Sequence, residues 1–177
     1  MNQLVLTKLS KLEDSRNALI KKLGNVSLLE VETSPFPGKW SVSQIFYHLN
    51  RAETLSVLYV SKKRLDTVNL KKTGIKEQLK MILMRVRFIL PFALKAPDVL
   101  GEVPGKVDYA IIINEWSKTR DKLKNLLNSL PDDILYKNVF KQPAIGRINI
   151  FQMLDFMQAH FNRHQKQVER IIFKTPS

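Results

Sequence analysis

Apolar residues recur at helical spacing in five stretches of the chain, separated by polar breaks marked with proline or glycine. Residues 2–23 place Leu4, Leu9, Leu12, Leu19, Ile20 and Leu23 on a helical pattern, with Gly24 as the stop. A short helical piece fits Leu28 to Glu32 and is followed by the loop Ser34-Pro-Phe-Pro-Gly38. Ser41-Val-Ser-Gln44 has the form of a capping box, in which the Ser hydroxyl and the Gln amide satisfy orphan N–H groups at a helix start. The helix it opens is predicted to run from about 42 to 65. Residues 66–75 are polar and read as a connection, after which the helical pattern returns from Ile75 to about Ala93 through Leu79, Ile82, Leu83, Val86, Ile89 and Leu90. Ala96-Pro97 through Pro104-Gly105 is a second irregular stretch. An amphipathic helix fits 108–129 and stops before Pro131. Residues 131–148 read as a long connection, and the last helix fits 149–173.

No segment shows period-two alternation bounded by hairpin turns, so no sheet is expected, and no fixed-period repeat is visible. The sum is an all-α four-helix bundle forming one domain over 1–177, with an extra, shorter helix in a long crossover between the second and third long helices. A composition of 44% apolar residues and only 6 Gly suits a packed globular chain. At 177 residues its core needs neither metal nor disulfide for stability, so a metal here would serve chemistry rather than the fold. The most apolar stretch, Met81 to Leu94, is interrupted by Arg85, Arg87 and Pro91 and is shorter than a spanning helix. The first residues carry no run suited to a secretory signal. A soluble cytoplasmic protein without a membrane partner is the expectation.

Zero Cys excludes a disulfide scaffold, a Cys-ligated zinc site and a thiol nucleophile of the chain's own. The 3 His are more informative. In the last helix the apolar stripe runs Ile150, Met153/Leu154, Met157, His160/Phe161, His164, Val168 and Ile171. His160 and His164 are therefore one turn apart on the core-facing side, about 6 Å between Cβ atoms, which is the spacing by which a helix offers two imidazoles to one ion. His48 lies on the stripe Ile45, His48, Ala52, Leu55 and Tyr59 of the second long helix. A single histidine on an apolar face is ordinarily a satisfied core residue. Three buried without a shared partner would each cost about 1–3 kcal/mol, whereas a divalent metal satisfies all three. Three protein ligands with one open position is the pattern of catalytic rather than structural sites.

Other residues have two readings each. Gln44, one turn before His48, could bond a ligand imidazole or serve only as a cap. Tyr59 and Trp116 could line a pocket mouth or simply fill the core. Glu53 lies about 140° around the helix from His48, which makes it a poor fourth ligand and a better salt-bridge partner for an Arg or Lys.

The same residues carry a family resemblance. Lys39-Trp40-Ser41-Val-Ser-Gln-Ile-Phe-Tyr-His48-Leu-Asn-Arg-Ala-Glu53, Phe140-Lys-Gln-Pro143-Ala-Ile-Gly146-Arg-Ile-Asn-Ile-Phe-Gln-Met-Leu154 and Ala159-His160-Phe-Asn-Arg-His164-Gln-Lys-Gln167-Val168 resemble, in order, segments of the DinB-like family. Lys95-Ala-Pro97 fits between the middle helices. The resemblance implies an up-down-down-up bundle and a divalent metal, zinc or nickel, on His48, His160 and His164. It also implies a small-molecule substrate, a low-molecular-weight thiol cofactor in some members, and homodimers. Gln142 departs from the pattern, standing where the family often has His before Pro, at a position that is not a metal ligand.

The charge offers a competing reading. The 29 Lys+Arg against 16 Asp+Glu give +13, and residues 62–87 hold Lys62, Lys63, Arg64, Lys71, Lys72, Lys76, Lys80, Arg85 and Arg87 against Asp66 and Glu77. A non-enzymatic bundle binding an anionic partner, with a structural or vestigial metal site, is the alternative to a metal-dependent transferase or hydrolase. Aromatic interleaving and nucleic-acid motifs are missing, so nucleic acid is not the expected partner, and a solvated basic face accounts for the charge.

Overall fold

The computed structural model describes residues 2–64, 70–89, 100–143 and 146–173. Four long helices form: α1 (Gln3–Leu23), α3 (Val42–Lys63), α5 (Tyr109–Ser129) and α7 (Ile150–Phe173). Each starts or ends where local chemistry dictates. Asn2 caps α1 through its side chain and Asp108 caps α5. Ser41 and Gln44 close the capping box of α3 reciprocally, as do Ser27 and Glu30 at the short α2 (Leu28–Glu32). The inserted helix α4 (Ile75–Ile89) occupies the crossover. The expected continuation of that helix beyond Ile89, and Lys95-Ala96-Pro97, lie outside the described residues.

Contacts between helices give their directions. Lys8 and Lys22 of α1 pair with Asp155 and Glu169 of α7, so these two run the same way. Thr54 meets Thr119 and Arg64 meets Ser129, so α3 and α5 also run alike. Arg120 reaches back to Glu13 while Arg16 lies over the Trp116 ring, so α5 opposes α1. The bundle is up-down-down-up. One half of its core gathers Val5, Leu9, Leu12, Leu123, Leu127, Met153 and Met157; the other gathers Leu19, Phe46, Leu49, Ile112, Trp116 and Phe161.

The 131–148 connection contains more structure than its sequence signals. A one-turn helix α6 (Asp132–Leu135) precedes a hairpin, β1 (Phe140–Gln142) and β2 (Gly146–Ile148), so the expectation of no sheet is corrected by one antiparallel pair. Three-residue strands are too short to display alternation. Phe140 and Ile148 face each other across the ladder and both are buried. Gly146, at φ +95°, adopts a backbone conformation that side chains disfavour. An isolated bridge between Lys72 and Lys137 ties the start of the crossover to the segment before β1. From there α4 buries Met81 and Met84 and leaves Ile75, Leu79, Ile82, Leu83 and Val86 exposed. The basic crossover is therefore not a uniformly charged face: the outer side of α4 is apolar with Lys76 and Lys80 exposed beside it. Among the described residues no helix is long and apolar enough to cross a membrane.

A buried polar network ties α1, α3 and α5 together. Arg120 donates through Nε to Glu53 Oε2 (2.5 Å) and through Nη2 to Glu53 Oε1 (2.8 Å), and Trp116 Nε1–H donates to the same carboxylate at 2.9 Å. Removing one partner strands a charge in the core. Arg120→Ala is expected to destabilise the chain by about 3–5 kcal/mol, and the apolar double replacement Glu53→Met/Arg120→Met by much less. Denaturant titration checks this; a single-variant cost below about 1 kcal/mol would contradict the structural role assigned to the pair.

Candidate metal centre

Because α3 runs against α7, the inward stripe bearing His48 meets the stripe bearing His160 and His164. The three ring centroids lie 4.8–5.1 Å apart, and one ligand nitrogen from each ring falls within 4.8 Å of the other two. His48 Nε2 and His160 Nε2 are 3.1 Å apart. His48 and His164 are 5% and 8% exposed. His160 keeps partial exposure and is stacked by Phe156 of its own helix (5.7 Å, 11° between planes) and by Phe88 of α4 (5.8 Å). The inserted helix thus contributes a wall of the site. Trp40, just ahead of the α3 cap, packs its ring 5.1 Å from His48.

Burial dominates the electrostatics. It pushes His48 down to about 4, and His164 also falls to about 4 through burial first and then His48 and Arg163, against the opposing Gln167 hydrogen bond. His160 is held well below its ordinary value by burial and then by His164, His48 and Arg163. All three rings are neutral at pH 7, the state in which imidazole ligates a metal. Among the described residues no carboxylate joins the cluster.

The donor set fits a divalent ion. His164 Nδ1–H donates to Gln167 Oε1 at 3.0 Å, which leaves Nε2 as the ring's lone-pair nitrogen. Tetrahedral zinc with nitrogens at about 2.0–2.1 Å spaces them about 3.3 Å apart. The 3.1 Å between His48 and His160 is already close to that spacing. Without a cation, the contact between two Nε2 atoms needs one of them to carry the proton, so the pair holds one hydrogen bond where an ion would satisfy both lone pairs.

The remaining sequence candidates lie elsewhere. Gln44 accepts from Ser41 N (2.8 Å) and donates to the carbonyls of Pro104 (2.8 Å) and Gly105 (3.2 Å), stapling the loop before α5 to α3 without bonding a histidine. Tyr59 packs edge-on against Phe140 at 5.8 Å, about three helical turns from His48. Trp116 is fully buried between Phe46 and Phe161 and is committed to Glu53. Both fill core rather than the cavity beside His48. Glu53 takes the Arg partner expected of it, Arg120. The residues that do surround the cluster, Gln167, Phe88, Phe156 and Trp40, were not singled out from sequence as site residues. Gln167 had a signal, since a side chain three positions after a helical ligand shares its face. Phe88 had none, because its approach depends on how the crossover folds back onto α7.

A sequence profile of the DinB superfamily matches residues 11–168. The chain belongs to the DinB superfamily. The match extends from α1 into α7 and includes His48, His160 and His164. No curated protein and no solved structure matches this DinB-superfamily chain significantly.

The depressed histidine pKa values give a signed expectation for the metal-free chain. Unfolded histidines titrate near 6.5, whereas His48 and His164 stay neutral in the fold down to about 4. Between those values the unfolded state binds more protons, so stability falls as pH falls; well above about 6.5 neither state is charged and the histidines add no slope. The expected loss is about 1 kcal/mol or more per pH unit per histidine from pH 6.5 to 5. Denaturant titrations measure it, and His48→Leu/His160→Leu/His164→Leu should flatten the curve. Equal slopes in the two proteins would contradict the assignment.

Proposed function

We propose that this chain is a metal-dependent enzyme in which His48, His160 and His164 hold one divalent ion, zinc or nickel, with a coordination position left for a small thiol or water. The observation that carries the reading is the convergence of three neutral, desolvated imidazoles with no carboxylate beside them among the described residues. An ion held this way supplies a Lewis acid that lowers the pKa of a bound thiol or water. The chain's own residues do the rest. Gln167 fixes the tautomer of His164, and Phe88 and Phe156 stack on the His160 ring and hold its orientation.

The choice between thiol transfer and hydrolysis turns on a proton acceptor. Hydrolysis benefits from a general base within reach of the attacking water. Glu53, the buried carboxylate nearest in sequence to His48, is engaged by Arg120 and Trp116. That favours activation of a thiol, and with zero Cys in the chain the thiol comes from a small molecule. The alternative, a basic bundle docking an anionic partner, has the exposed apolar side of α4 beside Lys76 and Lys80 in its favour. Under it, binding falls steeply with salt and is indifferent to the histidines.

Protein purified without a nickel column is expected to carry about one divalent ion per chain, against almost none for His160→Ala/His164→Ala. Elemental analysis decides, and equal metal in both would sink the site. Gln167→Ala is expected to weaken metal affinity by about 10–100-fold with helicity unchanged. Competition with a chelating dye measures it, and an unchanged affinity would remove Gln167 from the centre.

A further inference from the structure

A cavity of about 340 Å³ opens beside the histidine cluster, and His48 belongs to both. Its walls include Trp40, Tyr47 and Arg51 on the α3 side and Glu102 and Val103 from the loop before α5. The volume is that of a small-ligand pocket. Arg51 stands three positions after His48, so their Cβ atoms are about 5–6 Å apart on neighbouring turns. It is exposed, and among the described residues it has no ion-pair or hydrogen-bond partner. Arg51 thus lines the cavity with its guanidinium donors unspent among the described residues.

The charge balance at the cluster points the same way. Three neutral imidazoles leave a divalent ion's charge uncompensated, and the charged side chain acting on His160 and His164 is another cation, Arg163. Glu102, exposed on the loop, is the one carboxylate on the cavity wall among the described residues. A ligand entering here meets positive charge at both ends of its path, the ion beside His48 and Arg51 one turn on. Arginine recognises carboxylate through two parallel N–H···O bonds.

We infer that the small molecule accepted at this site carries a carboxylate, bound by Arg51, separated by a short linker from the atom that reaches the open coordination position. The inference rests on the metal-centre reading above and adds the substrate class to it. Arg51 acts as a specificity residue, while Trp40 and Tyr47 flank the linker.

The test uses the full chain loaded with cobalt(II) and two probes, 3-mercaptopropionate and 3-mercaptopropionamide, whose sulfur reports on the ion through a charge-transfer absorption. The carboxylate is expected to bind about tenfold or more tightly than the amide. Arg51→Gln should erase that preference, leaving cobalt content and amide affinity unchanged, and Glu102→Gln should strengthen carboxylate binding a few-fold. Equal affinities in the unaltered chain, or an Arg51→Gln loss shared by both probes, would overturn the inference. A cobalt spectrum unmoved by either probe counts against the thiol reading instead. The carboxylate inference is then decided by Trp40 fluorescence of the metal-free chain, with Trp40→Phe as the blank: an Arg51-dependent quench by the carboxylate alone supports it, and no difference between probes overturns it.

Discussion

The antiparallel packing of α3 on α7 is the constraint on which the rest of this structure depends. It sets one inward histidine opposite two others spaced a turn apart, deep enough that protonation is disfavoured at all three. An uncharged imidazole still has a lone pair to satisfy, and the rings can satisfy one another only in part. Gln167 takes the outer nitrogen of His164, and the short contact between His48 and His160 uses one more. A cation in the cluster would satisfy all three lone pairs at once.

The acidic side chains are disposed in keeping with this. Among the described residues the one buried carboxylate is Glu53, and Arg120 and Trp116 consume it on the α5 side of α3. Two polar centres therefore share α3, about 140° apart around the helix and little more than one turn apart along it. One is saturated and ties α1, α3 and α5; the other is open toward a cavity. Among the described residues no carboxylate stands beside the histidines, which preserves their neutrality without lowering the charge an ion would present.

Much of this was legible in the chain, for identifiable reasons. Long helices with capping chemistry, such as the one opened by Ser41 and Gln44, announce both their start and their inward face, so His48, His160 and His164 could be placed on core stripes from spacing alone. The angular offset of Glu53 from His48 separated it from the cluster in advance, and the structure supplies Arg120 as its partner. What spacing does not encode is the path of the connections. The β1–β2 hairpin is too short for a periodic signal. Phe88 reaches His160 only because the crossover, tied at Lys72 and Lys137, lays α4 along α7. The cavity wall at Glu102 and Val103 depends on Gln44 holding the loop carbonyls of Pro104 and Gly105. Tyr59 and Trp116 share the histidines' helices or core yet point into packing, a distinction that needs the neighbouring helix to be in place.

The central claim is that these three histidines are ligands rather than core residues that happen to meet. X-ray absorption at the metal edge of protein loaded with one equivalent of zinc tests it most directly. Three imidazole nitrogens at about 2.0–2.1 Å are expected, with the scattering signature of intact rings and one oxygen donor completing the shell. A shell of oxygens alone, or zinc that washes away with no imidazole scattering, would contradict it.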